Sequence, residues 1–227
     1  MTTVAIVPTA GSGSRLGGKK PKQFRLVGGV PVLIRTLRAL SGVREIGGIV
    51  VAAPPEAVDV ARRLIERHRI PRIVEVVPGG RERQESVWLA LQAAPRSASL
   101  VVVHDGVRPF ISRSLVRSVI QAARRHGAAT CGLPVVETVK QVRDERVEAT
   151  VEREGLWLVQ TPQAFHRSLL WAAHEKARSD GFSGTDDAAL VERLGMPVRM
   201  VIGLPENLKI TTRADLARAR LFAARLR

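Results

Sequence analysis

The sequence predicts an α/β fold: one mostly parallel sheet with helices covering both faces. Two observations carry this. Apolar runs rich in Val and Ile recur along the chain, and amphipathic helical patterns separate them almost to the C-terminus. The runs are continuous rather than alternating, as strands buried on both faces require. With 227 residues the chain is long enough for one domain with a substantial core. No repeat, low-complexity segment or linker divides residues 1–227.

The first strand is Val4–Pro8, and Pro31–Leu40 follows as a helix. Strand Gly48–Ala53 leads to helix Pro55–His68, and strand Ile73–Val77 leads to helix Arg83–Ala93. Strand Leu100–His104, helix Ser112–His126 and strand Ala128–Pro134 continue the rhythm. Residues 136–158 break it. Thr138–Val142 and Val147–Val151 flank a charged tip, Arg143–Arg146, which reads as a β-hairpin arm too polar for a core. Such an arm either lies on its own sheet or reaches a partner chain. Helices Arg167–Ser179 and Asp186–Leu194, strand Val198–Ile202 and helix Thr212–Arg225 complete the order.

Composition excludes several classes. Hydrophobic residues make up 45% and charged residues 25%, ordinary for a soluble globular chain. No apolar run approaches the ~20 residues of a membrane helix, and the N-terminus lacks a secretory layout. The single Cys131 rules out an internal disulfide and lies in an apolar stretch, so it reads as a buried structural thiol. A reducing, cytoplasmic setting is expected. A net charge of +15 invites a nucleic-acid reading. The cations are nevertheless spread over helices (Arg62, Arg63, Arg117, Arg124, Arg218), and no Tyr is present to stack on bases. Neither nucleic acid nor membrane is an expected partner.

The most informative stretch is Pro8-Thr9-Ala10-Gly11-Ser12-Gly13-Ser14-Arg15-Leu16-Gly17, followed by Pro21-Lys22-Gln23. Small residues let backbone N–H groups approach a phosphate, and two cations stand ready to neutralise charge on phosphorus. It is not the dinucleotide fingerprint, because Leu16 stands at the third glycine position. Nor is it a P-loop, because Lys20 stands where the magnesium-binding hydroxyl belongs. A plain glycine turn with solvated cations is the bland alternative.

In open parallel sheets, ligands bind beyond the carboxyl ends of the strands. Four further segments place polar groups there: Gly79–Ser86, His104–Pro109, Gln160–Gln163 and Pro205–Thr211. Each also has a structural reading. Ser86 could satisfy helix backbone, and Asp105 could cap a turn or serve ribose hydroxyls or a phosphate-bound metal. Arg108 could be an ordinary surface Arg. Lys209 sits between Leu208 and Ile210, which favours a functional task. Asp186 and Asp187 read as a helix start.

The five His residues have no metal-ligand spacing, and one Cys cannot build a zinc site. No G-x-S-x-G elbow appears. What remains is a cationic, phosphate-oriented rim without an obvious general base. Attack on a nucleotide α-phosphorus by an already ionised phosphate fits, since its second pKa of ~6 leaves it mostly dianionic at neutral pH. Positioning and charge stabilisation then supply the catalysis.

These segments, with Thr150–Trp157 and Glu206–Thr211, resemble the cytidylyltransferases of the non-mevalonate isoprenoid pathway, in order from about residue 4 to 222. The resemblance implies a Rossmann-like nucleotidyltransferase sheet, CTP and methylerythritol phosphate as substrates, and Mg²⁺ as cofactor, mainly phosphate-bound with Asp105 nearby. It implies catalytic roles for Arg15 and Lys22 at the triphosphate, and for Arg153 and Lys209 at the substrate phosphate. Pro8, Thr9, Ala10, Gly11 and Gly13 would line the nucleotide, Gly80 and Ser86 would contact cytosine, and Asp105 the ribose side. Arg108, Thr138 and Thr161 would complete the sugar-phosphate pocket.

A homodimer clasped by the arms is also implied, with Thr138 and Arg153 serving the neighbouring subunit. Departures are Thr9 for the usual Ala, Gly106-Val107 for Ala-Ala, which implies a more flexible Arg108 loop, and Glu137 for Asp. The chain ends at Arg227, so no fused cyclase domain is expected. A sister enzyme acting on another polyol phosphate, such as ribitol phosphate, and a basic nucleic-acid-binding module are the competing readings.

Overall fold

A computed structural model describes residues 2–11 and 21–225. Eleven strands are present among them: β1 Thr2–Pro8, β2 Leu26–Val27, β3 Val30–Pro31, β4 Ile46–Ala53, β5 Ile73–Pro78, β6 Ala98–Val103, β7 Ala128–Pro134, β8 Val139–Arg143, β9 Arg146–Val151, β10 Trp157–His166 and β11 Arg199–Ile202. The α-helices are α1 Val32–Ser41, α2 Val58–Arg67, α3 Arg83–Ala93, α4 Arg113–His126, α5 Arg167–Ser179, α6 Asp187–Arg193 and α7 Arg213–Arg225.

Seven strands form one sheet in the order β11-β7-β10-β6-β1-β4-β5. Strands β6, β1, β4 and β5 pair in parallel, as do β11 and β7. The continuous apolar runs are explained by burial on both faces. On β1, Ala5 and Val7 face one core with α1, α2 and α4, while Val4 and Ile6 face a second core with α3, α5 and α6. A smaller cluster seats α7 against Val27, Val107 and Ile210.

Polar side chains cap the starts of α4, α6 and α7. Ser112 Oγ accepts the Leu115 N–H at the start of α4, and Gly127, at φ 86°, closes it. At α7, Asp215 N–H donates to Thr212 Oγ1 while Asp215 Oδ2 accepts the Thr211 and Thr212 N–H groups. That reciprocal cap pins the segment carrying Lys209.

One element departs from expectation. Gln160–Gln163 does not follow the carboxyl end of a strand; it belongs to β10, which runs antiparallel between β6 and β7. Pro162 masks it in the sequence, since an interior strand excludes proline except at a bulge, and the β10–β7 register shifts between Gln160 and Ala164. The reversal matters for the rim. Gln163 pairs with Val103, the last residue of β6, so Gln160 and Thr161 lie beyond its carboxyl end.

The arm is the β8–β9 hairpin, turning at Asp144 and Glu145 with φ of 47° and 62°. It makes a separate two-stranded sheet, exposed along nearly its whole length.

Candidate active site

Hydrogen bonds that continue beyond the strands hold the rim together. Thr9 N–H donates to Ala52 O at 2.8 Å, Gly79 N–H to Ala53 O at 2.7 Å and Gly106 N–H to Pro8 O at 3.2 Å. The Pro8–Gly11 segment therefore sits between two glycine turns, and the approach is too close for side chains. A Cβ on Gly79 would lie 2.5 Å from Ala10 Cβ, and one on Gly106 would lie 2.4 Å from Thr9 Cγ2. The absent methyl at Gly106 is thus filled by the extra methyl of Thr9. Arg108 is buried in the turn that follows.

The Gly79–Ser86 turn is equally constrained. Gly80 N–H donates to Ser86 Oγ at 3.1 Å, and Ser86 Oγ donates to Glu82 O at 2.9 Å. Arg81 N–H donates to Glu85 Oε2 at 2.8 Å, where a Cβ on Gly80 would collide with the Glu85 side chain.

Asp105 is the centre of the rim. Its Oδ1 accepts Arg83 Nε at 3.0 Å, and its Oδ2 lies 2.9 Å from Lys209 Nζ and 3.5 Å from Arg108 Nε. Burial alone would raise the carboxyl pKa, but Arg83, Lys209 and Arg108 outweigh it and hold Asp105 far below the usual carboxylate range. Arg83 also reaches Asp187 Oδ2 at 2.7 Å, and Asp187 Oδ1 meets His174 Nε2 at 3.1 Å. For Asp187, too, burial is outweighed, chiefly by Arg83 and then by His174, and the pKa falls.

Arg108 donates to Asn207 O at 2.7 Å, and Asn207 Nδ2 donates to Thr161 O at 2.7 Å and to Gln160 Oε1 at 3.0 Å. Ile210 N–H donates to Val107 O at 2.9 Å. The Lys209 segment is thereby tied to both the Asp105 turn and β10.

Two adjacent cavities open here. Pro8, Thr9, Ala10, Gly11, Lys22 and Ser86 line one; Arg108, Gln160, Thr161, Gln163 and Thr185 line the other; Arg83, Asp105 and Lys209 belong to both. Lys22 reaches Gly11, its Nζ lying 3.9 Å from where a Cβ there would stand. Gly80 abuts the first cavity through Ser86. Thr138 and Arg153 are exposed on the arm segment and line neither cavity; Arg153 donates to the Val136 carbonyl. Gly13 and Arg15 lie outside the described residues.

Both oxygens of Asp105 are engaged by cations, and among the described residues no group of three His, Cys, Asp or Glu could hold a metal ion. Asp186 caps α6 by accepting Ala189 N–H at 2.9 Å, as a helix start requires. Asp187 opens α6 as expected and also joins the buried Arg83 network, a link the sequence reading missed along with Thr185. Gln163 and Asn207 lay in rim segments it named without giving either a role. A cation placed immediately after a rim turn was the available signal for Arg83.

A paired-cavity rim with cations on a shared wall suits a transfer between two phosphorylated ligands. The profile of the 2-C-methyl-D-erythritol 4-phosphate cytidylyltransferase family matches residues 3–225. The chain belongs to this family. A relative so named from Syntrophus aciditrophicus is 45% identical over 221 residues, spanning 96% of this chain and 94% of the relative. Another, from Symbiobacterium thermophilum, is 46% identical over 218 residues, spanning 96% and 91%. The crystal structure of the 2-C-methyl-D-erythritol 4-phosphate cytidylyltransferase from Thermus thermophilus superposes with a TM-score of 0.82 at 39% identity, covering 99% of this chain and 100% of that one. The sheet described above is therefore the cytidylyltransferase fold, and the chain is a nucleotidyltransferase.

In this cytidylyltransferase, Gly106→Ala is expected to lower unfolding free energy by about 1–3 kcal/mol through overpacking against Thr9. Thr9→Ala in the same chain should recover most of the loss. Denaturant titration of the four proteins of the cycle measures the coupling; additive effects would contradict the contact.

Proposed function

We propose that the chain transfers CMP from CTP to 2-C-methyl-D-erythritol 4-phosphate and releases pyrophosphate. The single observation that carries this is the pair of cavities sharing Asp105 and Lys209. The first, floored by backbone at Pro8–Gly11 and closed by Lys22, takes the nucleotide triphosphate. The second, with Arg108 and Thr161, takes the polyol phosphate. Lys209, between them, orients the attacking phosphate towards the α-phosphorus.

An oxygen of the substrate phosphate forms a bond to the α-phosphorus while the bond to the bridging oxygen breaks, and pyrophosphate leaves with the electron pair. The attacking phosphate is already ionised, so no side chain has to take a proton. Lys22 and Arg15 stabilise the charge that builds on the phosphoryl oxygens. Asp105 faces the ribose, and Ser86 and Gly80 face the base. A divalent cation, Mg²⁺ in this reading, would be held mainly by the nucleotide's phosphate oxygens with Asp105 nearby, and would supply charge neutralisation there.

The chain acts as one domain and as a homodimer, with the arm as the clasp. A lone two-stranded hairpin is marginal in water, and Val142 and Val147 on it are 56% and 62% exposed. Thr138 and Arg153 then complete the neighbouring subunit's second cavity. No helix among the described residues is long and apolar enough to cross a membrane, and the cytoplasm is the proposed setting.

Pyrophosphate release should occur with CTP, Mg²⁺ and methylerythritol phosphate. Turnover of ribitol phosphate in its place, with none for methylerythritol phosphate, would move the assignment to the sister activity. Lys22→Ala and Arg15→Ala should each lower kcat by about 10²–10³, the scale for losing one preorganised charge-stabilising donor. Near-normal kcat in both would remove those roles. Mixing inactive Arg153→Ala and Lys209→Ala proteins under subunit exchange should restore activity, because one site of the mixed dimer keeps both residues. No recovery despite exchange would place Arg153 in its own subunit's site.

A further inference from the structure

His104 is fully buried at the carboxyl end of β6, and no role above uses it. Its ring has two partners. Nε2 lies 3.2 Å from the Arg108 carbonyl oxygen, and Nδ1 lies 3.0 Å from Thr161 Oγ1. Thr161 Oγ1 also accepts the Asp105 N–H at 3.1 Å.

The proton positions follow by elimination. A carbonyl oxygen only accepts, so Nε2 must carry a hydrogen. Complete burial disfavours the imidazolium and pushes the ring pKa down to about 4, so the ring is neutral near pH 7. A neutral imidazole has one N–H, which leaves Nδ1 as an acceptor. The Thr161 hydroxyl must therefore donate to Nδ1. Its only proton is spent inside the protein, and one of its lone pairs is held by the Asp105 N–H.

We propose that His104, as the Nε2–H tautomer, and Thr161 form a positioning pair that sets the Asp105–Arg108 turn, and that the Thr161 hydroxyl donates no hydrogen bond to substrate. One arm of the pair fixes the Asp105 backbone through Thr161. The other fixes the Arg108 carbonyl, three residues on, which orients the Arg108 side chain into the second cavity. This rests on the proposed function and deepens it, because Thr161, which lines the second cavity, becomes a support for two residues that face substrate.

The tautomer is tested without turnover, so its outcome stands apart from the assigned reaction. In ¹⁵N-histidine-labelled protein, one ring should show a protonated Nε2 and an unprotonated Nδ1, unchanged between pH 7.5 and about 5.5. In Thr161→Val that ring's Nδ1 signal should move. An Nδ1–H tautomer, or an imidazolium at neutral pH, would overturn the proposal.

Kinetics then separate support from direct contact. His104→Gln keeps a donor for the Arg108 carbonyl but offers Thr161 nothing in place of Nδ1, and Thr161→Val removes the hydroxyl. Each should lower kcat/KM for the polyol phosphate about tenfold, the scale of one lost buried hydrogen bond. The double variant should be no worse than the poorer single, and Thr161→Ser should restore most of the loss. Multiplying losses in the double variant would mean that Thr161 acts on substrate independently of His104, and the pair would be rejected.

Discussion

Everything at the rim depends on neutralising one buried carboxylate. Asp105 sits at the end of the central strand β6, where water is largely excluded. An isolated charge there would be costly enough to drive protonation. Arg83, Lys209 and Arg108 prevent that, and they arrive from three separate segments of the chain. Truncating a partner in such a cluster strands the remaining charges, at a typical cost of about 3–5 kcal/mol. The carboxylate is therefore also an assembly point: placing it correctly brings α3, the Arg108 turn and the Lys209 segment to one wall.

The reversed strand makes that wall possible. A parallel strand in the β10 position would send its first residues to the far edge of the sheet. Running antiparallel, β10 begins at the ligand rim, so Gln160 and Thr161 stand beside the Asp105 turn. The buried amides are tolerated because they are used. Gln163 Nε2 donates to Thr130 Oγ1 and Asp186 Oδ2, while Gln163 Oε1 accepts the N–H groups of Asp187 and Ala188. Those bonds fix the start of α6 and, through Asp187, the outer end of Arg83.

The contrast between what was legible and what was not follows the range of the interactions. Strands buried on both faces show as continuous apolar runs, so β1, β4, β6 and β7 were readable within a few residues, as were the amphipathic helices. The Pro8–Gly11 loop, Lys22, Asp105 and Lys209 were readable because chemistry and chain direction both point to the carboxyl ends of strands. By contrast, β10 hides behind Gln160-Thr161-Pro162-Gln163, whose polar groups find partners in distant segments. Arg83 hides among Arg81, Glu82 and Glu85, which look like a solvated helix start. Its decisive partner, Asp187, is 104 residues away. Thr9 and Gly106 each looked like an isolated departure, and only their juxtaposition shows one packing solution.

The charge balance on the shared wall sharpens the chemistry. Arg83 and Lys209 contribute two positive charges and Asp105 one negative, leaving the shared wall at +1 before Lys22 is considered. Two polyanions must approach each other across it, so an uncompensated Asp105 would oppose both. Compensated, it holds Lys209 at 2.9 Å in a fixed direction instead of leaving a flexible amine in water. A preorganised cation needs no reorganisation as negative charge develops nearby, and that economy is the usual source of electrostatic catalysis. The overall charge of +15 explains little by comparison, since exposed cations on the outer helices are screened within about 10 Å at 0.1 M salt. In the proposed reaction, the charge that acts is the small surplus built around Asp105.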